Sequence, residues 1–234
     1  ASSRGRLSPR TTRPLTTETD GPLAHDTAHA LHPPTATGLD TRKLAIWTFI
    51  GSECLFFATL ISNYLVYKGE SLVGPLPHET SQCMLHGQMT TCEPIFEIPL
   101  VTFGTAVLLF SSFFVVLALN GAQQGNRKQL IGWLSATVVC GLFFIGMQVY
   151  EFYHFYHKGL GYTTNLFGSS FYTLTGFHGT HVTIGVIWLA TMLVLAIRGK
   201  VPPEKSLNLE IAALYWHFVD VVWIVIFPVV YLMR

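Results

Sequence analysis

Charged residues are scarce in this chain. Asp, Glu, Lys and Arg make up 12% of its 234 residues, whereas an ordinary soluble domain carries about 25%. Half of the residues are hydrophobic, and the mean hydropathy is +0.43. The formal net charge of +1 gives no indication of a nucleic-acid partner. The composition therefore excludes an ordinary soluble protein and predicts an integral membrane protein.

The first 42 residues lack any apolar run. They are polar and rich in Thr, Pro and Arg, so they cannot bury a core and are predicted to form an extended N-terminal tail. Without an apolar segment the tail does not resemble a secretory signal. Its arginines resemble a transit peptide only faintly, and a basic cytoplasmic tail is the simpler interpretation. A bacterial cell membrane is accordingly favoured over a mitochondrial inner membrane.

Residues 43–234 carry five apolar segments, each long enough to cross about 30 Å of hydrocarbon as a helix. The predicted fold class is an all-α integral membrane protein with five transmembrane helices in one bundle. The N-terminus is predicted inside and the C-terminus outside, because eleven of the 14 Lys and Arg residues then fall on the inner side. No repeat of fixed period supports an inverted-repeat transporter. The segments are 44–67, 98–119, 131–157, 167–197 and 210–233.

The four cysteines form no C-x-x-C pair. Cys83 and Cys92 fall in the polar loop predicted on the outer, more oxidising face, where a disulfide would stabilise the loop by about 2–3 kcal/mol. A soft-metal site involving the neighbouring Met and His residues is the sharper alternative, but the spacing matches no metal geometry. The favoured interpretation is that Cys83 and Cys92 form a disulfide or remain free thiols.

The last apolar segment carries two ionisable residues at membrane depth. His217 and Asp220 are three positions apart and project from one face of the helix. An Asp at the bilayer centre costs about 2.5–3.5 kcal/mol on insertion scales. This face is therefore predicted to pack against protein and not against lipid.

The first and third segments carry polar residues as well. Glu53 lies near the middle of the first segment, beside Gly51 and Ser52. It is either a carboxyl held by hydrogen bonds or a proton-responsive or lipid-site group, and the residues leave both open. Gln148 and Glu151 lie on one edge of the third segment and are predicted to form interhelical hydrogen bonds.

His178 and His181 share one face of the fourth segment. The pair lacks the Glu of a zinc hydrolase motif. A haem held between these histidines and His217 is the sharper alternative. The favoured interpretation is that the histidines hydrogen-bond to Glu53, Glu151 or Asp220 within a tight bundle, and that the chain holds no metal.

Four motifs in order resemble subunit III of the haem-copper respiratory oxidases, from about Lys43 to the C-terminus. The third and fourth are long and specific, and the Tyr-Trp-His-Phe form looks more like cytochrome c oxidases than quinol oxidases. The motifs are Gly51-Ser-Glu53-x-x-Phe-Phe-Ala58, Gly146-x-Gln148-x-Tyr-Glu151-Phe, Gly168-Ser-x-Phe-Tyr-x-Leu-x-Gly176-x-His178-Gly-x-His181-Val-x-x-Gly185 and Tyr215-Trp-His-Phe-Val-Asp220-Val-Val-Trp223.

The resemblance implies the five-helix form of the family, without the first two helices of its seven-helix form. It implies an accessory, non-redox subunit of a proton-pumping terminal oxidase in aerobic respiratory electron transport. Haem and copper would lie in subunits I and II, and cytochrome c would dock elsewhere on the complex. The chain itself would carry no catalytic residue. It would pack mainly on subunit I near the start of a proton-uptake path and would bind phospholipid between its helices. Glu53 would be the family's intramembrane carboxyl.

Overall fold

The computed structural model describes residues 41–68, 81–85, 88–92, 96–201 and 206–233. Five long helices account for most of this part, and each is long and apolar enough to cross a membrane. They are α1 (Thr41–Tyr67), α2 (Ile98–Gln123), α3 (Arg127–His157), α4 (Leu166–Ile197) and α5 (Ser206–Phe227). The predicted fold class and the five predicted segments are confirmed. The predicted tail lies almost wholly outside the described residues, and which membrane face each terminus occupies stays a prediction.

A small hairpin joins the first two helices. Strands β1 (Ser81–Leu85) and β2 (Gln88–Cys92) pair antiparallel. In the backbone register Cys83 lies opposite Thr90, and Cys92 lies opposite Ser81. The two cysteine side chains lie outside the described part of the chain, so their predicted disulfide stays a prediction.

The turns between helices follow from local capping residues. Asn126 and Asn165 precede α3 and α4, and each side chain accepts a hydrogen bond from a backbone N–H of the first turn, as N-cap residues do. Gly125 and Gly199 follow α2 and α4 with φ of 69° and 70°. Glycine adopts this left-handed conformation without steric cost, which closes the helix end.

Pro228 marks the end of regular α-helix in the fifth span. Proline has no N–H to donate, so the α-helical pattern is interrupted there. The chain continues as a π-helical turn over Pro228–Leu232, in which Met233 N donates to Pro228 O at 2.9 Å. The fifth span thereby extends to Leu232, close to the end of the predicted segment 210–233.

The centre of the bundle is occupied by Trp216 of α5, whose side chain is fully buried. Its ring lies against Gly141 of α3 and Gly185 of α4, where a Cβ would come within 2.8 and 2.9 Å of ring atoms. Its Nε1–H donates to Ser111 Oγ of α2 at 2.9 Å. One indole therefore contacts three helices, and two glycines give it room.

Helix α1 is the least buried span. In the most apolar 18-residue window of α1, 11% of the window is buried within the chain, whereas 56% of the corresponding window of the fifth span is buried. Polar contacts connect α1 to the fifth span at both ends. Lys43 Nζ pairs with Glu210 Oε1 at 2.6 Å, and Tyr64 OH donates to Val230 O at 3.4 Å. These contacts show that α1 and α5 run parallel and begin at the same face of the bundle.

Candidate functional site

Glu53 and His181 form a polar contact between the middles of α1 and α4. Glu53 Oε2 lies 3.3 Å from His181 Nε2, and the side chains are 21% and 14% exposed. His181 Nδ1 lies 2.8 Å from the carbonyl oxygen of Phe177, so both ring nitrogens have partners. The ring of Phe57 meets the imidazole edge-on at 5.1 Å. This intramembrane carboxyl therefore faces protein on one side and remains partly accessible on the other.

A second polar group connects α2 with α5. Ser112 Oγ lies 3.0 Å from His217 Nδ1 and donates a hydrogen bond to Asp220 Oδ2. Asp220 is buried. The predicted polar face of α5 therefore packs against α2, and its two ionisable residues share one hydroxyl group.

Gln148 and Glu151 of α3 each contact another element. Gln148 Nε2 donates to the carbonyl oxygen of Thr175 in α4 at 2.9 Å. A Cβ on Gly179 would come within 2.8 Å of Gln148 Oε1, so this glycine allows the amide to lie against α4. Tyr231 OH donates to Glu151 Oε2 at 3.0 Å, and both side chains are buried. Both residues form interhelical hydrogen bonds in the structure.

His178 departs from the expectation. Its side chain is fully buried, and neither ring nitrogen has a hydrogen-bond partner among the described residues. The imidazole instead stacks on the indole of Trp223, with centroids 4.8 Å apart and planes at 22°. Phe57 and Phe144 meet it edge-on. Of the expected contacts with acidic residues, His181 makes one directly with Glu53, and His217 is connected to Asp220 through Ser112. His178 makes none, because aromatic rings surround its imidazole.

The sequence motifs did not point to the hydroxyl groups of α2 as part of the site. Trp223 Nε1–H donates to Thr105 Oγ1 at 2.9 Å, just as Trp216 donates to Ser111. With Ser112, these residues form a polar row along α2 that faces α5. A signal was present, because Thr105 and Ser112 are seven residues apart within an apolar run and share one helix face.

The three histidines proposed as alternative haem ligands have separate surroundings. His181 contacts Glu53, His217 contacts Ser112, and His178 lies among aromatic rings. Within the described residues no group of three or more His, Cys, Asp or Glu side chains is placed to hold a metal ion. The sequence-based prediction that the chain carries no haem or metal remains a prediction.

Comparison with known proteins identifies the family. Residues 25–234 match the family described as cytochrome c oxidase subunit III. The chain belongs to this family. Subunit 3 of a quinol oxidase from Bacillus subtilis is 38% identical over 190 residues, which cover 81% of this chain and 86% of that protein. Cytochrome c oxidase subunit 3 of Alkalihalophilus pseudofirmus is 36% identical over 90% of this chain and 97% of that protein.

Membership of the subunit III family fits the described bundle. A third relative, subunit 3 of the cytochrome bo(3) ubiquinol oxidase of Pseudomonas aeruginosa, is 34% identical over 89% of this chain and 90% of that protein. The named relatives are bacterial, and the part of the chain that the structure describes contains five apolar spans. It is therefore a subunit III of a bacterial haem-copper oxidase and a multi-pass membrane protein, and it works within a complex of several subunits.

Proposed function

We propose that this subunit III is an accessory, non-redox component of a proton-pumping cytochrome c oxidase. Haem and copper would lie in subunits I and II, and the complex would transfer electrons from cytochrome c to dioxygen and translocate protons. The observation that carries the proposal is that the membrane-depth acids and imidazoles pair with hydroxyl, carboxyl or carbonyl groups of this chain or stack on its aromatic rings. Such an arrangement suits a scaffold that packs on subunit I.

The pair of Glu53 and His181 would support proton uptake or hold a phospholipid against α1. The pair is the polar contact at the middle of the least buried helix, and a lipid lying along α1 could reach its partly exposed carboxyl. A lipid in this position would also cover the apolar side chains that α1 exposes, among them Trp47, Leu55 and Phe56.

A quinol oxidase is the second candidate, because relatives named for quinol and for cytochrome c have similar identities to this chain. The motif Tyr215–Asp220 favours cytochrome c. Reduction of the purified complex by cytochrome c, and not by a quinol, is the expected result. Reduction by quinol alone would replace the first candidate with the second.

Substitution of Glu53 tests the role of the pair. In the purified oxidase, Glu53→Gln should shorten the time over which turnover is sustained or reduce the bound phospholipid, while the haem and copper content stays at the wild-type value. Thr59→Val on the exposed side of α1 is the matched control. Unchanged turnover stability and lipid content in Glu53→Gln would contradict the proposed role.

A further inference from the structure

A cavity lies where α1, α2 and α5 meet at the face at which α1 and α5 begin. Its volume is about 180 Å³, which accommodates several water molecules of about 30 Å³ each. The ion pair of Lys43 and Glu210 lines it together with His217, and both members of the pair are partly exposed. The remaining lining residues are Ile46, Trp47, Leu119, Ile211, Ala213 and Leu214. The cavity therefore extends from the charged groups at the end of the bundle to the imidazole of His217.

A continuous row of hydrogen-bonding groups begins at His217 and ends inside the bundle. His217 Nδ1 lies 3.0 Å from Ser112 Oγ, which also bonds to Asp220 Oδ2. Asp220 is 3% exposed, and its second oxygen, Oδ1, has no hydrogen-bond partner among the described residues. A buried carboxyl with an unpartnered oxygen is costly when ionised, so this position favours a group that can hold a proton.

We propose that Asp220 is a proton-binding site that exchanges protons with the aqueous phase through Ser112, His217 and this cavity. In the step toward Asp220, a hydronium ion in the cavity gives one proton to His217 Nε2 and becomes water, and His217 releases its Nδ1 proton to Ser112 Oγ. The hydroxyl proton of Ser112 moves at the same time to Asp220 Oδ2. One proton enters, the carboxylate becomes a carboxylic acid, and both His217 and Ser112 keep their proton count.

The path is separate from the contact of Glu53 with His181. Helix α2 contributes hydroxyl groups and no titratable residue to the face against α5. His217 is the titratable side chain that shares a hydroxyl with Asp220. The other His, Asp, Glu, Lys and Arg side chains on the helices around α5 are Arg42, Lys43 and Glu53 on α1, Arg127, Lys128, Glu151, His154 and His157 on α3, and His178 and His181 on α4.

Infrared spectroscopy of the purified oxidase tests the proposal. The C=O stretch of a protonated Asp220 is identified as the band that Asp220→Asn removes, and its shift on transfer to D₂O gives the exchange rate. In Ser112→Ala this rate should fall by at least about tenfold, because a positioned proton-transfer group contributes about 10²–10⁴ in rate. Ser112→Thr keeps the hydroxyl and should exchange at the wild-type rate. Glu53→Gln is the control for the other acid and should leave the band unchanged.

Two results would overturn the proposal. One is that no band is lost in Asp220→Asn at any pH at which the oxidase is intact, since Asp220 then holds no exchangeable proton. The other is equal exchange rates in Ser112→Ala and wild type, which would mean that protons reach Asp220 by another path. If the Asp220→Asn oxidase does not assemble, the Asp220 C=O band is identified instead as a band whose exchange rate differs between Ser112→Ala and Ser112→Thr. The absence of any such band also contradicts the proposal.

Discussion

The indole ring of Trp216 lies directly against Gly185. A Cβ on Gly185 would come within 2.9 Å of Trp216 Cε3, closer than side-chain carbons approach one another in folded proteins. The ring is fully buried and cannot move away without leaving the hydroxyl of Ser111. This contact fixes how closely α4 and α5 approach each other, and it leads to the first prediction.

Adding a methyl group at this contact should destabilise the bundle. Gly185→Ala and Gly141→Ala should each lower the free energy of unfolding by about 1–3 kcal/mol, as overpacked cores do. The readout is the temperature at which the subunit separates from the purified oxidase. Gly132→Ala on α3 is the control, because a Cβ there meets nothing within 4 Å. Equal dissociation temperatures for Gly185→Ala and Gly132→Ala would refute the packing argument.

Removal of the hydroxyl that accepts the Trp216 proton should also be costly. In Ser111→Ala the buried Nε1–H loses its partner, and an unsatisfied buried donor costs about 1–3 kcal/mol. The same dissociation measurement applies. Ser62→Ala is the matched control, because Ser62 is exposed on α1 and its hydroxyl bonds to its own helix. A Ser111→Ala subunit as stable as the Ser62→Ala subunit would show that the indole bond contributes little.

Tyr231 and Glu151 provide a third test at the other end of the bundle. Tyr231→Phe removes the hydroxyl that donates to Glu151 Oε2, while Glu151 Oε1 already has no partner among the described residues. We expect a loss of about 1–3 kcal/mol, seen as release of the subunit at lower detergent concentration. Tyr150→Phe, at an exposed position on α3, should behave as wild type. Equal detergent resistance of the two variants would contradict the role of this bond.

Arg127, the first residue of α3, links the start of that helix to the end of α4. Its Nε donates to Ala196 O at 3.2 Å, and Nη2 donates to Ile197 O, so a cation satisfies carbonyl groups at a helix C-terminus. Arg127→Ala should destabilise the subunit by about 1 kcal/mol, and added salt should reduce the difference from wild type. Thermal unfolding at low and high salt measures it, with Lys128→Ala as the neighbouring control. A loss of stability in Arg127→Ala that does not depend on salt would show that Arg127 stabilises the subunit by packing and not by its charge.

The sequence predicts the helices well because apolar length alone determines them. The predicted segments 98–119 and 131–157 become α2 (Ile98–Gln123) and α3 (Arg127–His157), longer by a few residues because polar end residues still hydrogen-bond within the helix. The hairpin was not predicted, since each strand has only five residues and neither shows an alternation of apolar and polar residues. The signal available in the sequence was Gly87, because glycine is a residue type favoured in hairpin turns.

The candidate site could be predicted only in part, because a sequence shows which face a residue occupies but not its partner. His217 and Asp220 were expected to face protein, and in the structure they do. That Ser112 lies between them depends on the register of α2 against α5, which no spacing within one helix reveals. His178 looked like a hydrogen-bonding histidine, and only the packing of Trp223 and Phe144 shows otherwise.

The central claim is that this subunit III carries no redox centre, and the haem and copper content of the oxidase with and without the subunit tests it most directly. The account predicts that detergent removal of this chain leaves haem and copper per subunit I unchanged, and that the isolated chain shows no haem absorption. Loss of one haem or one copper together with the chain would contradict the account.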